Sequence, residues 1–328
     1  MQERRYPIDL VRARRSEFRL VAGHEKKKFF GEQASRIEAG YKGELAVDQY
    51  LRHVQLPGWW TVLRDVRLEI SHNYIAQFDT LIITEKGIWI IEAKMIRGTL
   101  HWLEYPRRIE RIEPDGTVLT FDCPIIQVEN QKVALRNWLL DRNLDIPVAG
   151  VVAFATKNTW MNLPANSTII SVKELHHYLN KSFRNLPLVE NSLAKSAFIR
   201  IHTEQLGPDL TTSAERHHLL KTDFLTGLLC DNCGSELDRD TQRQYSCTRC
   251  RRVDSDESIA RALLDYVLTI KPVVTTKEFV SFLKVVPEST ARRHLGSHLD
   301  PIGWGKTAAY SFCALRHLHK DRLKKRES

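Results

Sequence analysis

Long uncharged apolar runs are missing from this sequence. The best candidate, Ile83 to Ile91, is interrupted by Glu85 and Lys86, whereas a membrane-spanning helix needs about 20 apolar residues. The basic stretch at residues 1–30 has neither a continuous apolar segment nor a small-residue cleavage site, so it does not resemble a signal peptide. The sequence therefore predicts a cytoplasmic protein without a membrane segment.

Cysteine is also scarce, with six residues in a chain of 328. Four of them form two CxxC pairs, while Cys123 and Cys313 lie far from the pairs. In an intracellular chain such pairs are typical of metal binding rather than of disulfides. We expect Cys123 and Cys313 to be plain buried thiols.

The overall composition is that of a soluble globular protein, with 42% hydrophobic and 27% charged residues. A chain of this length can bury a sizeable core and is expected to form two or three domains. Lys and Arg number 49 against 40 Asp and Glu, which gives a net charge of +9. This excess favours a polyanionic partner, such as nucleic acid or an anionic membrane surface.

The hydrophobic periodicity predicts an α/β fold. A helical pattern runs from about Ser35 to Val54, with Glu44 leaning toward its buried side. Strand-like segments follow, and Asp115–Gly116 is the predicted turn of one hairpin. A second helix begins at Pro124. The apolar run "IPVAGVVAFA" then predicts a strand buried on both faces, so we expect a mixed sheet with helices around it.

The stretch "IAQFDTLIITEKGIWIIEAK" contains two apolar runs that carry charges a buried sheet should reject. If the turn is centred on Glu85–Lys86, Asp79 lies directly opposite Glu92. Lys94 then shares their face, because it lies two residues beyond Glu92. A three-residue loop with Gly87 as a bulge is the alternative, and it shifts the register by one residue.

Spacing alone leaves two interpretations of these charges open. In the first, they form a structural ion-pair cluster at the end of a sheet. In the second, two carboxylates in a partly buried place hold a divalent cation, since they repel each other without one. Mg²⁺ polarises a phosphodiester oxygen and lowers the pKa of a bound water. Lys94 would orient or deprotonate that water, or neutralise charge that develops on the phosphate.

Several motifs around these charges resemble the nuclease-related domain, a branch of the PD-(D/E)XK nuclease superfamily. Gly43 and Glu44 resemble the "GE" of its first helix, and "QFDTLIITEKGIWIIEAK" resembles its D-hairpin-ExK core, with Gly98 fitting after the lysine. "PIIQ" resembles its "NPxxQ" helix start, although Cys123 stands where the family often has Asn, and "VAGVVAFA" resembles a later core strand. The resemblance covers about Ser35 to Leu179.

This resemblance implies a restriction-endonuclease-like α/β fold and a metal-dependent nuclease. Carried over to the matching positions, it implies that Asp79, Glu92 and the carbonyl of Ala93 bind Mg²⁺ or Mn²⁺. It further implies that Lys94 is the catalytic lysine.

The resemblance also implies roles for two residues on the helices. Glu44 would be an outer carboxylate that contacts the metal or a water, and Gln127 would contact the phosphate or the groups around the metal. Gln131 lies on the same line of its helix as Gln127, and for Gln131 an ordinary helix-surface glutamine is an equally open interpretation.

Cys230, Cys233, Cys247 and Cys250 form two CxxC knuckles separated by a short polar stretch. Four thiolates at this spacing are typical of tetrahedral Zn²⁺ in a zinc ribbon. A site closed by four thiolates leaves no open position, so we predict a structural ion that helps a small segment to fold.

The segment after the cysteines predicts a helix-turn-helix. "TTKEFVSFLKVV" has helical spacing, and "PESTARRHLGSHL" places Arg292 and Arg293 on the outer side of the next helix. "DPIGWGKTAAYSF" would then be a wing hairpin, and a plain helical bundle is the open alternative. We interpret "GWGKT" as a turn, because a phosphate-binding loop requires Gly where Asp300 stands.

Arginines of both C-terminal segments are candidate nucleic-acid contacts. Arg249 and Arg251 beside the ribbon cysteines are expected to contact phosphates, as are Arg292 and Arg293. An ordinary solvated surface is the alternative for the arginines around the ribbon.

The sequence thus predicts five segments: a basic N-terminal arm or helix at 1–33, a nuclease-related domain at 34–206, a linker at 207–224, a zinc ribbon at 225–254, and a helical module with a basic tail at 255–328. The predicted function is Mg²⁺-dependent hydrolysis of DNA phosphodiester bonds. A catalytically idle fold that senses or regulates DNA is one alternative, and a nuclease acting on RNA is another. A homodimer is a further expectation, since cutting both strands of a duplex takes two active sites or two visits.

Overall fold

The computed structural model describes residues 3–185, 188–241, 243–303 and 308–312. Residues 304–307 of the turn predicted at 303–307 lie outside these ranges, as do the Cys313 thiol and the basic tail. The chain divides into two compact units, the first comprising residues 1–5 and 38–207, the second residues 6–37 and 208–328. The five-segment organisation stays a prediction from the sequence.

The helices and strands are numbered in chain order. The helices are α1 Ile8–Arg19, α2 Lys26–Leu51, α3 Pro124–Leu140, α4 Leu175–Asn185, α5 Asn191–Glu204, α6 Ser213–His217, α7 Glu257–Thr269, α8 Thr276–Leu283 and α9 Glu288–His298. The strands are β1 Trp60–Ser71, β2 Tyr74–Thr84, β3 Gly87–Lys94, β4 Gly98–Glu104, β5 Arg107–Ile112, β6 Val118–Asp122, β7 Val148–Phe154, β8 Asn158–Met161, β9 Ile169–Ser171, β10 Leu237–Arg239, β11 Gln244–Cys247, β12 Val253–Ser255, β13 Val273–Thr275, β14 Asp300–Ile302 and β15 Ala309–Ser311.

A five-stranded mixed sheet forms the centre of the first unit, in the order β1-β2-β3-β7-β9. The strands β1, β2 and β3 are antiparallel neighbours, whereas β7 runs parallel to β3 and β9 parallel to β7. The apolar run predicted as a strand buried on both faces is β7, which lies between β3 and β9. A parallel strand in this position needs cover on both faces, which explains its continuous apolar sequence.

Helices cover both faces of this sheet. On β3, Ile88 and Ile90 lie in one apolar cluster with Trp138 of α3. Trp89, between them in sequence, lies in a second cluster with Val47 of α2. Since successive strand residues point to opposite faces, α3 and α2 cover opposite sides of the sheet. The predicted α/β class, a mixed sheet flanked by helices, is confirmed.

Helix α2 begins earlier than the sequence predicted. The expected start was about Ser35, and the observed start is Lys26. Phe30 and Ala34 lie one helical turn apart, and both are buried in a cluster with Leu20 of the second unit. These two residues extend the helix through a segment that looked polar and solvated in the sequence.

A smaller sheet in the first unit has the order β6-β5-β4-β8. Its β5–β6 hairpin pairs Ile112 with Val118, and Gly116 between them has a φ of +83°. A positive φ is accessible to glycine at little cost, so the predicted turn at Asp115–Gly116 is confirmed.

The second unit contains two three-stranded sheets. One has the order β10-β11-β12 and follows the first cysteine pair. The other has the order β13-β15-β14, and both of its outer strands pair antiparallel with β15. Along the chain, α7 precedes this sheet and α8 and α9 lie between β13 and β14.

One hydrophobic cluster joins these parts of the second unit. It contains Leu237, Tyr245 and Cys247 from the cysteine-bearing sheet, together with Leu263 of α7 and Phe279 of α8. The small sheet therefore shares a core with the C-terminal helices, so its apolar contacts supplement any bound ion.

A buried ion pair connects α1 to α7 within the second unit. Asp265 is 0% exposed and accepts hydrogen bonds from Arg15, and from Nε of Arg19 at 2.6 Å. Burial opposes its charge, yet the two guanidinium groups lower the pKa of the Asp265 carboxyl below its usual value. Part of the basic N-terminal segment is thus fixed by a buried acid.

Among the described residues, no helix combines the length and the apolar composition that a bilayer crossing requires.

We predict that Asp265→Asn lowers the free energy of unfolding by about 3–5 kcal/mol, because buried Arg19 loses its carboxylate partner and half-buried Arg15 keeps only Asp231. Denaturant unfolding measures the change. Glu288→Gln is the matched control, since Glu288 pairs with Arg292 at 2.7 Å with both side chains 65% exposed, and it should change stability by less than about 1 kcal/mol. Equal losses in the two variants would contradict the role of Asp265.

Candidate functional site

The β2–β3 hairpin has the register predicted for a two-residue turn. Thr84 pairs with Gly87 beside the turn, and Thr80 pairs with Ile91 at the far end of the ladder. The next position in this register sets Asp79 opposite Glu92. The backbone N–H of Ala93 donates to Oδ2 of Asp79 at 3.0 Å, so the Asp79 side chain reaches across to β3.

Lys94 is held between two side chains that the sequence placed in the site. Its ammonium donates to Oε1 of Glu92 at 2.6 Å and to Oε1 of Gln127 at 2.9 Å. Glu92 is 3% exposed, while Gln127 lies on the exposed side of α3 near its start. The structure thus brings Glu92, Lys94 and Gln127 together.

Gln131, for which the sequence left a plain surface role open, contacts the site. It is 6% exposed, and its Nε2 donates to Oε2 of Glu92 at 3.0 Å and to the carbonyl of Gln77 at 3.0 Å. Glu92 therefore has one oxygen held by Lys94 and the other by Gln131. The helical spacing of Gln131 from Gln127 is the sequence signal for this contact.

Glu44 is connected to the site through an arginine that the sequence analysis missed. Nη1 of Arg4 donates to Oε2 of Glu44 at 2.9 Å and to Oδ1 of Asp65 at 2.8 Å. Nε of the same guanidinium donates to Asp48 at 2.8 Å, and Nη2 donates to Thr80, the neighbour of Asp79, at 2.8 Å. No local motif surrounds Arg4, so nothing in the sequence pointed to it.

Asp65 is the second residue that sequence reasoning missed. It lies between Arg64 and Val66 of β1, which pair with Thr80 and Phe78 of β2, so its register position faces Asp79. Its φ of +52° is unusual for a residue other than glycine. Asp65, Asp79 and Glu92 therefore occupy one row across three adjacent strands.

We call these eight side chains the charged network: Arg4, Glu44, Asp48, Arg64, Asp65, Asp79, Glu92 and Lys94. Besides the contacts above, the charged network includes a hydrogen bond in which Nε of Arg64 donates to Oδ1 of Asp48 at 2.7 Å.

Two carboxyl groups of the charged network hold protons unusually well. Burial, and then the charge of Glu92, raise the pKa of Asp79 to about 7. Burial, and then the charge of Asp79, raise the pKa of Glu44 to about 8, although Arg4 acts in the opposite direction. A cation bound between carboxylates that repel one another in a desolvated place stabilises their ionised forms strongly.

The groups at the hairpin end suit a hard divalent cation. Carboxylate oxygens of Asp79 and Glu92 and the neighbouring Ala93 carbonyl are the kind of ligand that Mg²⁺ and Mn²⁺ prefer. The described part of the chain contains a group of three or more Cys, His, Asp or Glu with ligand atoms within 4.8 Å of one another. This group consists of cysteines and does not include the hairpin carboxylates. An ion at the hairpin would therefore rely on two carboxylates, the Ala93 carbonyl and water.

That cysteine group is Cys230, Cys233, Cys247 and Cys250, as predicted. The Sγ atoms of Cys230 and Cys250 lie 3.7 Å apart, and those of Cys233 and Cys247 lie 3.4 Å apart. Tetrahedral Zn²⁺ with Zn–S bonds of 2.3 Å separates its sulfurs by about 3.8 Å. The four thiols are therefore spaced for a zinc ion.

The two knuckles share one backbone geometry. After each second cysteine, Gly234 and Arg251 have φ values of +73° and +59°. The N–H of Gly234 donates to the carbonyl of Cys230 at 2.7 Å, and the N–H of Arg251 to that of Cys247 at 3.1 Å. The backbone N–H of Ser235 lowers the pKa of the Cys233 thiol to about 6, which favours the thiolate that binds metal.

The remaining predicted residues take ordinary positions. Arg249, Arg251, Arg292 and Arg293 are all exposed, in the second unit. Cys123 is 5% exposed, a buried free thiol as expected.

We predict that Gln131→Ala weakens Mn²⁺ binding by about 10–100-fold, because Glu92 loses the amide that orients one of its oxygens. Free Mn²⁺ measured by electron paramagnetic resonance (EPR) gives the affinity. Asn130→Ala, an exposed change on the same helix, should leave it unaltered. Identical affinities in the two variants would show that Gln131 does not support the site.

Residues 39–155 match the family model of the nuclease-related domain, NERD. The matched range contains all five residues predicted to be catalytic: Glu44, Asp79, Glu92, Lys94 and Gln127. Comparisons with curated proteins and with solved structures give no significant match. The chain thus carries a nuclease-related domain over residues 39–155, together with four nearby cysteines consistent with a zinc ribbon.

Proposed function

We propose that this protein is a divalent-metal-dependent nuclease that hydrolyses DNA phosphodiester bonds at the open end of the β2–β3 hairpin. The observation that carries the proposal is the contact of Lys94 with both Glu92 and Gln127, beside Asp79, in a domain whose family is nuclease-related. A structural ion-pair cluster alone would not require the polar helix residues that converge on it.

Asp79, Glu92 and the Ala93 carbonyl are the proposed ligands of the ion. Mg²⁺ or Mn²⁺ bound there supplies a Lewis acid and a water of lowered pKa. Hydrogen bonds fix the ligands beforehand, since Ala93 N–H holds Asp79, and Lys94 and Gln131 hold Glu92. Such fixed ligands need little reorganisation when the substrate arrives.

Lys94 is proposed to act as a donor to the reacting groups. Two of its three ammonium donors are used by Glu92 and Gln127. The third is directed by these two contacts, and it orients the attacking water or neutralises charge on a phosphate oxygen. Besides binding the ion, Glu92 would hold the Lys94 ammonium in place through their hydrogen bond.

Glu44 and Gln127 are proposed to act at the edge of the site. Glu44 lies on α2, where a hydrogen bond from Arg4 fixes its carboxylate. There it would position a water near the ion. Gln127 is exposed at the start of α3, where its amide N–H₂ can donate to a phosphate while its oxygen accepts from Lys94.

The second unit is proposed to bind DNA. A winged helix-turn-helix in this unit is supported by the chain order α7, β13, α8, α9, β14, β15, with β15 between β13 and β14. Helix α9 would be the recognition helix, with Arg292 and Arg293 exposed on it. Arg249 and Arg251 of the cysteine knuckles would add phosphate contacts, and Zn²⁺ would have a structural role.

The test is cleavage of linear, supercoiled and single-stranded DNA and of RNA with Mg²⁺, with Mn²⁺ and with a chelator. We expect metal-dependent cutting of DNA, and rates at least about 100-fold lower for Lys94→Ala and Asp79→Ala. Lys86→Ala is the matched control, because Lys86 is a half-buried lysine at the opposite end of the same hairpin, and it should cut at the wild-type rate.

Absence of cutting on every substrate, with DNA binding intact in all variants, would overturn the proposal in favour of a catalytically idle DNA sensor. Cutting confined to RNA would overturn the choice of substrate.

A further inference from the structure

Arg4 is the most completely engaged charged side chain of the charged network. Its side chain is 1% exposed, and its five N–H groups make five hydrogen bonds, to Glu44, Asp65, Thr80 and twice to Asp48. A guanidinium has five donors, so no donor is left over. Arg4 is therefore a fixed part of the site rather than a mobile counter-ion.

The position of Arg4 is that of a cation between carboxylates. A single nitrogen, Nη1, lies 2.9 Å from Oε2 of Glu44 and 2.8 Å from Oδ1 of Asp65. The same guanidinium donates to Thr80, the neighbour of Asp79, and Asp65 occupies the same sheet row as Asp79 and Glu92. A divalent ion on the Glu44 side would need the place that this nitrogen fills.

The charges of the network favour one divalent ion and disfavour two. Its five carboxylates face three permanent or protonated cations, those of Arg4, Arg64 and Lys94, which leaves a net charge of about −2 when every carboxyl is ionised. One Mg²⁺ balances this charge. A second would leave a comparable positive excess in a desolvated place, where such an excess is costly.

We infer that Arg4 is a built-in cation that restricts this site to one divalent ion, held at Asp79 and Glu92, and that it occupies the place between Glu44 and Asp65 where a second ion would bind. The inference rests on the proposed function for its identification of the ion site. It adds a positioning residue to the site, since Arg4 acts through Glu44 and touches no reacting group.

The nuclease therefore works with a single ion. Glu44, bonded to a guanidinium, contributes by holding water rather than by bridging two metals. Because arginine keeps its proton throughout the accessible pH range, this restriction does not relax with pH.

The test counts Mn²⁺ in the zinc-loaded full chain by EPR, without substrate. We expect one tightly bound Mn²⁺ with the spectrum of an isolated ion in the wild type. Arg4→Ala should bind two Mn²⁺ that are close enough to be spin-coupled, because Glu44 and Asp65 lose the cation between them, while Asp48 keeps Arg64. Arg4→Lys retains a cation and should keep one ion. Arg5→Ala, an exposed neighbour, is the matched control and should also keep one.

Two outcomes would overturn the inference. One is a wild-type protein that binds either a spin-coupled pair of Mn²⁺ or no Mn²⁺. This result refutes the inference even if Arg4→Ala does not fold. The other is a folded Arg4→Ala protein with the same single ion as the wild type. The ion count is made without substrate, so it is independent of cleavage. A protein that binds one ion but cuts nothing would refute the nuclease proposal and leave the role of Arg4 standing. An active protein with two coupled ions would refute the role of Arg4 and leave the nuclease proposal standing.

Discussion

Repulsion between carboxylates at one end of a sheet is the constraint on which the rest of the first unit depends. Asp65, Asp79 and Glu92 share a row across β1, β2 and β3, and burial with mutual repulsion raises the pKa of Asp79 to about 7. Such a row persists only if the surrounding fold supplies compensating charge. Arg4 does so on one side and Lys94 on the other, and we propose that a bound metal ion supplies the remaining positive charge.

The central sheet makes this arrangement rigid. Each strand that carries a charged residue has apolar neighbours packed against α2 or α3, so the carboxylates cannot separate without disrupting the core. The same helices deliver the polar side chains of the site, since Glu44 lies on α2 and Gln127 and Gln131 lie on α3. Catalytic groups held by strands and helices are positioned more accurately than groups on loops.

The sequence predicted the parts of this site that depend on local rules. A two-residue turn determined the hairpin register, and with it the positions of Asp79 and Glu92. The spacing of the CxxC pairs predicted the cysteine cluster. Arg4 and Asp65 could not be predicted in this way, because their contacts join segments distant in the chain and depend on tertiary packing. The early start of α2 was not predicted for the same reason, since Phe30 becomes part of an apolar face only after α1 packs against it.

The position of the bound ion tests the account most directly. Crystals grown with Mn²⁺ and measured at a wavelength where manganese scatters anomalously would show it without reference to any substrate. We predict one manganese peak in the first unit, within bonding distance of Asp79, Glu92 and the Ala93 carbonyl, with Arg4 still bonded to Glu44. A site without manganese, or a peak held by other residues of this unit, would contradict the claim that the charged row exists to bind a catalytic metal.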